Sequence, residues 1–364
     1  MNKLCGVFVA LALGVLSVRS ADAATCTGTG FMRDGIEMTA ALINPAAPPS
    51  VVDATGCHIG IYIDHLIVGG VANIQGRDIY GASYFGVLVN GDTGSVQANL
   101  RNNLVHNIGE VPFNGAQHGV GIYIRAFFAG FNVTGEITGN TVFAYQKGGI
   151  VVNGRGGKIS KVNNNRVLGQ GHVTYIAQNG IQVGYGAMPY PAQVVGNAVS
   201  GNSYIGTPGD GSASAGILVV GGDWLSPCPD GGACPYSSNV FIAGNILFNN
   251  DTGVNVYNAQ AGPGYAAPAA PTLVLIYQNL IGSDFCYNQA YQAGISDYGN
   301  TDYIVQNYIL QGGGYGPAAC GIGIDVTGSI NPQLSANNVP GTTTLAVAAL
   351  GLSPSGPAKF HPYQ

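Results

Sequence analysis

The chain has 364 residues, of which 58 are glycine and only 8% are charged, against about a quarter in an average soluble protein. The formal charge of −5 comes without any basic run, so nucleic-acid binding is not expected. Because glycine is costly inside helices and 46% of the residues are hydrophobic, the composition excludes both a long-helix protein and a disordered chain.

The N-terminus has the pattern of a secretory signal peptide. Lys3 precedes an apolar run over residues 4–18, and Ala21-Asp22-Ala23 matches a small-x-small cleavage site. The run is too short for a membrane span, and no second long apolar run follows it. Residues 1–23 are therefore predicted to be removed during export, which makes the mature protein secreted or periplasmic, without a membrane span. A buried N-terminal helix is the alternative.

The cysteines favour disulfides. Cys5 leaves with the signal peptide, and the even number that remains in an exported chain points to disulfides rather than metal ligands. The pair Cys26–Cys57 would tie down the N-terminal segment, and Cys228–Cys234 would close one Pro- and Gly-rich loop. Cys286–Cys320 is then left as the third pair, although other pairings stay open.

A short phrase recurs along the chain, in which a glycine is followed by alternating β-branched residues. Steps of 26 to 41 residues separate its glycines, which is typical of a solenoid with loops of variable length. The first and third positions after each glycine share one face of a strand and are almost all Ile or Val, so this face is predicted to point inward. Asp297 is the exception, and it marks a buried polar site or a shift of register. The phrase begins at Gly60, Gly86, Gly121, Gly149, Gly180, Gly216, Gly253, Gly294 and Gly323.

A second pattern follows each phrase and aligns asparagines in one column. Buried asparagines at turns tolerate left-handed backbone and hydrogen-bond to their copies in the neighbouring coils. The column contains Asn103, Asn140, Asn165, Asn197, Asn245, Asn279 and Asn307.

With these two motifs the chain resembles the pectin-lyase-like superfamily of right-handed parallel β-helix proteins over residues 55–328. The resemblance implies an all-β solenoid of about nine to ten coils. Residues 24–54 are then predicted to cap one end, with a short helix over residues 35–43, and the tail 329–364 to lie over the other end, because an open parallel edge would recruit other strands.

The resemblance specifies the fold better than the activity. The stretch "IYIDH", which ends at His65, is similar to an Asp-His strand motif of pectate lyases, but their arginine-containing catalytic motif is missing. The adjacent aspartate pair of the β-helical polygalacturonases is missing as well. A paired-carboxylate glycosidase would have to use Glu110, Asp210, Asp223 or Asp251 from separate loops.

The second and fourth positions of the phrase are predicted to face outward. On the first four coils they form a polar strip, in which Asp64 and Arg125 lie roughly 10 Å apart, two strand spacings. His118 would overhang this strip beside Tyr123, and a histidine next to a tyrosine suits β-elimination. The predicted catalytic residues are therefore His118, Tyr123, Arg125 and Asp64. The predicted substrate-binding residues are Tyr62, Asn90, Asn153 and Trp224. The alternative is a hydrated outer face without function.

Coils five to eight carry long Pro- and Gly-rich insertions, and one of these loops contains Trp224. These loops are predicted either to wall a groove, with Trp224 as a sugar platform, or to cover the apolar outer face at Leu218 and Val220.

Together these features favour an exported carbohydrate-active protein, a polysaccharide lyase or glycoside hydrolase that acts along the outer face of the β-helix. A noncatalytic glycan-binding, adhesin or structural surface solenoid is the alternative. The expected partner is a polysaccharide or cell-surface glycan, and the expected state is a monomer or homotrimer. No cofactor and no metal site is predicted, and the use of calcium stays open.

Overall fold

The computed structural model describes residues 25–205, 212–222, 227–259, 266–288, 290–310 and 322–339. The predicted signal peptide lies outside these residues. The described chain is built almost entirely from strands, with one short 3-10 helix at Val68–Gly70.

Three sheets run along the molecule, and each turn of the chain adds one strand to each of them. The 11-stranded long sheet contains β1 (Thr27–Arg33), β2 (Ile36–Ile43), β4 (Ile59–Ile63), β7 (Phe85–Asn90), β10 (Val120–Arg125), β13 (Gly148–Asn153), β16 (Asn179–Gly184), β19 (Ala215–Gly221), β22 (Thr252–Asn258), β25 (Ala293–Tyr298) and β28 (Ile322–Asp325).

The second and third sheets have nine strands each. The second sheet contains β5 (Val71–Gln75), β8 (Val96–Arg101), β11 (Val133–Thr138), β14 (Gly157–Asn163), β17 (Gln193–Val195), β20 (Phe241–Ala243), β23 (Leu275–Tyr277), β26 (Tyr303–Val305) and β29 (Gln333–Ser335). The third sheet contains β3 (Val51–Asp53), β6 (Asp78–Tyr80), β9 (Leu104–Ile108), β12 (Thr141–Tyr145), β15 (Arg166–Val173), β18 (Ala198–Tyr204), β21 (Ile246–Phe248), β24 (Leu280–Gly282) and β27 (Tyr308–Ile309).

All strand pairs except β1–β2 are parallel, so the fold is the predicted parallel β-helix. The recurring phrase sets the register of the long sheet, in which Ile61 pairs with Val87 and Val87 with Ile122. The glycine that opens each phrase is required by close approach. A Cβ on Gly86 would come within 2.5 Å of both the Gly121 carbonyl oxygen and the Val105 side chain.

The core lies inside the coil and is filled by the β-branched side chains of the three sheets. At the turn between the second and third sheets, the predicted asparagine column is buried. Each side chain in it donates to the next carboxamide oxygen at 2.9–3.0 Å, from Asn103 to Asn307 and on to Asn337. The asparagine ladder therefore satisfies backbone polar groups of a buried turn.

The N-terminal segment differs from the prediction. Residues 35–43 do not form a helix: Ile36–Ile43 is strand β2, which pairs with β4 and buries alternate side chains such as Met38 and Ala40. Asp34 and Gly35 both have positive φ and make the tight turn of the β1–β2 hairpin. Pairing with the sheet outweighs any local helical preference of this segment.

The coil stack extends past both predicted boundaries. Before residue 55, β2 and β3 already belong to the long and third sheets, and after residue 328, β29 adds to the second sheet. Asp297 keeps the register of the strand and faces Asp302, and both carboxyl groups are fully buried. Asp297 therefore marks a buried polar site and not a register shift.

Two disulfides have the predicted partners. Cys26–Cys57 joins the N-terminal hairpin to the first coil, with a Cα–Cα distance of 5.5 Å, and Cys228–Cys234 closes its loop at 5.1 Å. The third predicted pair involves Cys320, which lies outside the described residues.

Candidate functional site

The outward face of the long sheet is covered by other parts of the chain. Tyr62 is 2% exposed, and Tyr123 and Asn153 are 0% exposed. The β1–β2 hairpin packs on this face through Met38 and Phe31, in one cluster with Tyr62 and Tyr123. The expectation of a hydrated polar strip is therefore wrong, because the strand period distinguishes outward from inward side chains but not exposed from covered ones.

Arg125 forms a buried ion pair at the end of β10. Its Nε lies 2.7 Å from Oδ2 of Asp92, and both side chains are largely buried. The guanidinium also lies over the rings of Phe31 at 5.5 Å and Phe127 at 5.0 Å. These contacts hold the hairpin against the coil and leave little of the guanidinium for an external carboxylate.

The other predicted residues of the strip are also engaged within the protein. Asp64 accepts hydrogen bonds from the Asn44 side chain at 2.7 Å and from the backbone N–H of Leu66 at 2.9 Å. Asn90 donates to the Tyr62 hydroxyl at 3.0 Å.

Tyr123 and Asn153 also have partners within the coil stack. Tyr123 stacks on Phe85 with ring centroids 5.4 Å apart. Asn153 accepts a hydrogen bond from Gln182 at 2.9 Å. Neither side chain is presented to solvent in this conformation.

The loop closed by Cys228–Cys234 covers the apolar outer face at Leu218 and Val220, with which both cysteines share a cluster. This is the structural one of the two roles predicted for the long loops. Trp224 lies outside the described residues.

Loops lead the chain from the third sheet into the long sheet. Their backbone is held by hydrogen bonds to buried polar side chains, which lie just before the strand glycines. The Gln146 carboxamide oxygen accepts hydrogen bonds from the backbone N–H groups of Glu110 and Asn114, and its nitrogen donates one to the Ala116 carbonyl at 2.7 Å. Gln178, Asp251 and Gln292 bind the backbone of later entry loops in the same way. The described residues of these loops, 109–119, 169–178, 203–205, 212–214, 283–288 and 290–292, are called the entry loops.

The first entry loop presents a histidine–carboxylate pair. His118 Nε2 lies 2.6 Å from Oε1 of Glu110, and the imidazole stacks on the ring of Tyr84 with centroids 3.9 Å apart. Gly119, which follows, has a φ of 89°, and a Cβ there would come within 2.6 Å of Gln146. Tyr84, Glu110 and His118 are called the His118 cluster.

The His118 cluster lies at the boundary with solvent. His118 is 8% and Tyr84 is 9% exposed, while the Glu110 side chain is 38% exposed. Because a carboxylate only accepts, the Nε2 of His118 carries the proton of this hydrogen bond. In the neutral ring Nδ1 is then the nitrogen that takes up a proton, the arrangement in which a carboxylate orients a catalytic base.

The hairpin adds two charges near Tyr84. Burial and the carboxylate of Asp34 raise the pKa of the Tyr84 hydroxyl, Glu110 acts in the same direction, and Arg33 opposes them. Tyr84 is therefore protonated at neutral pH and suited to donate a proton rather than to accept one.

A second group of rings lies further along the same edge. His172 stacks on Tyr287 with centroids 3.1 Å apart, and Phe285, which is 61% exposed, lies 5.4 Å from Tyr287. Burial lowers the pKa of His172, so this imidazole is neutral at neutral pH. These three residues are called the aromatic stack.

Among the described residues, no group of three or more His, Cys, Asp or Glu side chains is placed to hold a metal ion. In the same part of the chain, no helix is long and apolar enough to cross a membrane. Comparisons with protein-family models, with curated proteins and with solved structures find no match to this chain.

The structure places one predicted catalytic residue, His118, beside Glu110 and Tyr84, two partners that the sequence did not predict for it. Tyr84 takes the place expected for Tyr123, and Glu110 was considered only as a glycosidase carboxylate. A signal for Tyr84 exists in the sequence, because it lies two residues before a phrase glycine, as do His58, Gln178, Asp251 and Gln292. These polar residues lie where the chain enters each strand of the long sheet, and not on the face of the strand.

Proposed function

We propose that the protein is an exported carbohydrate-active enzyme, a polysaccharide lyase or glycoside hydrolase, whose acid–base groups are the His118 cluster. The observation that carries the proposal is the 2.6 Å contact between His118 and Glu110, with the imidazole stacked on a protonated Tyr84 at the solvent boundary. The two disulfides support export, because structural disulfides persist mainly in oxidising compartments.

The cluster suits β-elimination on a uronate polysaccharide. His118, held by Glu110 with its proton on Nε2, would accept on Nδ1 the proton α to the uronate carboxylate. The electron pair of that C–H bond forms the new double bond as the glycosidic C–O bond breaks. Tyr84 would donate its proton to the leaving oxygen, so the products are an unsaturated uronate and a free hydroxyl. Arg33 is the cation whose charge acts on the Tyr84 hydroxyl, and it would attract the uronate carboxylate.

Hydrolysis would use two carboxyl groups instead. Glu110 and Asp34 both act on Tyr84 and come from different elements, the first entry loop and the β1–β2 hairpin. A glycosidase needs one carboxyl group to protonate the leaving oxygen and another to activate water or attack the sugar. The nature of the product therefore separates the two reaction types.

A noncatalytic glycan-binding solenoid is the second candidate. The aromatic stack favours it, because exposed and partly exposed rings on one edge provide faces on which sugars pack without any chemistry. The engagement of Asp64, Asn90 and Arg125 in internal contacts points the same way.

The test is a screen of purified protein on uronate and neutral polysaccharides, with ultraviolet absorbance for unsaturated products and an assay for new reducing ends. Absorbance identifies a lyase, and reducing ends without absorbance identify a hydrolase. Tyr84→Phe keeps the stacked ring and should lower turnover about 10²–10⁴-fold. Tyr80→Phe is the matched control, since Tyr80 stacks on His106 in the third sheet. Binding on a glycan array without any product would support the noncatalytic candidate and refute the enzyme.

A further inference from the structure

The aromatic stack is an exposed surface built by two entry loops. His172, from the second entry loop, lies face to face with Tyr287 from the fourth, and the ring of Phe285 is tilted by 45° against that of Tyr287. Phe285 is 61% exposed, more than any other phenylalanine in the described part of the chain. His172 is exposed as well, and Tyr287 is partly exposed. The three rings therefore present an aromatic surface to solvent.

Hydrogen bonds fix the backbone that presents Phe285 and Tyr287. The buried Gln292 side chain accepts one from the Tyr287 N–H at 3.0 Å and donates one to the Phe285 carbonyl at 2.8 Å. The Ser283 hydroxyl donates a further hydrogen bond to the same carbonyl at 2.9 Å. The exposed ring of Phe285 therefore belongs to a loop that is already held in place, and a ligand that packs on the ring loses little free energy to ordering that loop.

Polar groups that can bind hydroxyl groups adjoin the rings. Asp284, which precedes Phe285 in the chain, accepts a hydrogen bond from the Asn249 side chain at 3.2 Å. The backbone N–H of Asp284 donates to the Asn249 carboxamide oxygen at 2.8 Å, so the two residues hold each other at the surface. A carboxylate has about four acceptor positions, so most of those of the exposed Asp284 are open to hydroxyl donors of a ligand.

The charges around the aromatic stack favour an uncharged ligand over an acidic one. No lysine or arginine occurs between residues 167 and 358, so the coils that carry the stack supply neither of these cations. Partial burial lowers the pKa of His172, which is therefore neutral at neutral pH. The charged group beside the rings is the carboxylate of Asp284. A carboxylate on a ligand would therefore be repelled here, whereas an uncharged sugar would not.

We propose that the aromatic stack, together with Asp284 and Asn249, binds a neutral sugar residue of the polysaccharide on which the His118 cluster acts, an inference that rests on the proposed function. The C–H face of a sugar ring is apolar and packs on the exposed aromatic rings. The hydroxyl groups of the same sugar donate to the Asp284 carboxylate and accept from the Asn249 amide. The site therefore matches both the apolar and the polar groups of an uncharged sugar.

The aromatic stack uses the loop that neighbours the His118 cluster. The second entry loop packs against the first, since a Cβ at Gly115 would lie 3.0 Å from the Tyr175 carbonyl oxygen. The strands that follow these loops, β10 and β16, are separated by β13 alone, which is two strand spacings or about 10 Å. Arg33 acts at the His118 cluster, whereas the stack carries a carboxylate, so the two sites select different sugars. The substrate is therefore a polysaccharide that contains both uronate and neutral residues.

The experiment measures the binding of oligosaccharides to the full chain by isothermal titration calorimetry. The probes are neutral oligosaccharides of cellulose, mannan, xylan and galactan, with oligogalacturonate as the acidic probe. The variants are Phe285→Ala, Phe285→Tyr, which keeps the ring, and Phe128→Ala, the matched control, because Phe128 is 41% exposed on the turn after β10. We expect a neutral probe to bind the wild type, and Phe285→Ala to raise its dissociation constant at least about tenfold. Phe285→Tyr and Phe128→Ala should bind this probe like the wild type, and Asp284→Lys should tighten the binding of oligogalacturonate.

Three outcomes would overturn the proposal. These are a wild type that binds no neutral probe, a Phe285→Ala variant that binds as tightly as the wild type, or a Phe285→Ala variant that weakens the binding of oligogalacturonate alone. Self-association that Phe285→Ala abolishes, without any sugar binding, would assign the ring to a protein contact instead. Because the readout is binding and not turnover, a neutral-sugar site that depends on Phe285 in a protein that cleaves no polysaccharide would refute the proposed enzyme and leave the sugar site standing.

Discussion

Replacing Asn197 by leucine tests whether the asparagine ladder holds the coils together. The Asn197 amide donates to the Val162 carbonyl at 2.7 Å and to Asn245 at 3.0 Å. Its oxygen accepts from the backbone N–H of Asn165 at 2.9 Å and from the Asn165 side chain at 3.0 Å. Leucine has a similar size and supplies none of these bonds.

The structure shows which groups would lose a partner. The Asn165 amide keeps its bond to the Ile137 carbonyl, and Asn245 keeps the backbone N–H of residue 197. The Val162 carbonyl and the Asn165 backbone N–H lose the side chain that binds them. Two buried groups at about 1–3 kcal/mol each give an expected loss of about 2–6 kcal/mol in the free energy of unfolding.

Chemical denaturation of Asn197→Leu measures this loss directly. Gln193→Leu is the control in the same coil, because Gln193 faces outward and makes no side-chain hydrogen bond within the described residues; its effect should stay within about 0.5 kcal/mol. An Asn197→Leu variant as stable as the Gln193→Leu control would show that the asparagine ladder does not hold the coils together.

Three further predictions concern stability. Arg125→Ala should cost about 3–5 kcal/mol, because it leaves a buried carboxylate without its cation, whereas Arg166→Ala at an exposed position should cost under about 0.5 kcal/mol; equal unfolding midpoints would contradict this. Burial raises the pKa of Asp302 from 3.8 to about 8, so the folded state holds a proton that the unfolded state releases, and stability should fall as the pH rises from about 4 to about 8. Asp302→Asn should flatten this part of the curve, and an unchanged slope in pH-dependent denaturation would show that Asp302 holds no extra proton in the folded state. Removing Cys26–Cys57 should cost about 4 kcal/mol and removing Cys228–Cys234 about 2 kcal/mol, because the first closes the longer loop; the reverse order in thermal melts would show that loop entropy does not govern them.

The fold could be predicted from the sequence because each coil packs on its own copy. In a solenoid the neighbour of Ile61 is Val87, one repeat later, so a periodic pattern along the chain is also a list of spatial contacts. The asparagine column is predictable for the same reason. The β1–β2 hairpin is not part of the repeat, so the periodic pattern does not predict its turn at Asp34 and Gly35.

The candidate site was harder to predict because its surroundings come from outside the repeat. The period-two pattern correctly places Arg125 and Tyr62 on the outward face, but Phe31 and the rest of the hairpin, far away in the sequence, cover that face. The hydrogen bonds from Gln146 fix the conformation of the first entry loop. In this conformation Glu110 contacts His118, which lies eight residues later in the chain. No periodicity encodes such a loop conformation.

His118 is the residue on which the proposed acid–base chemistry depends. The most direct measurement is the turnover of a polysaccharide that the wild type cleaves, by His118→Gln and by His106→Gln. His106 is the matched control, since it pairs with Asp78 at 3.0 Å and stacks between two rings on the third sheet. We expect His118→Gln to lower turnover about 10²–10⁴-fold with the fold retained, whereas His106→Gln should cleave the polysaccharide at the wild-type rate. Equal turnover by the two variants would contradict it and place the chemistry elsewhere.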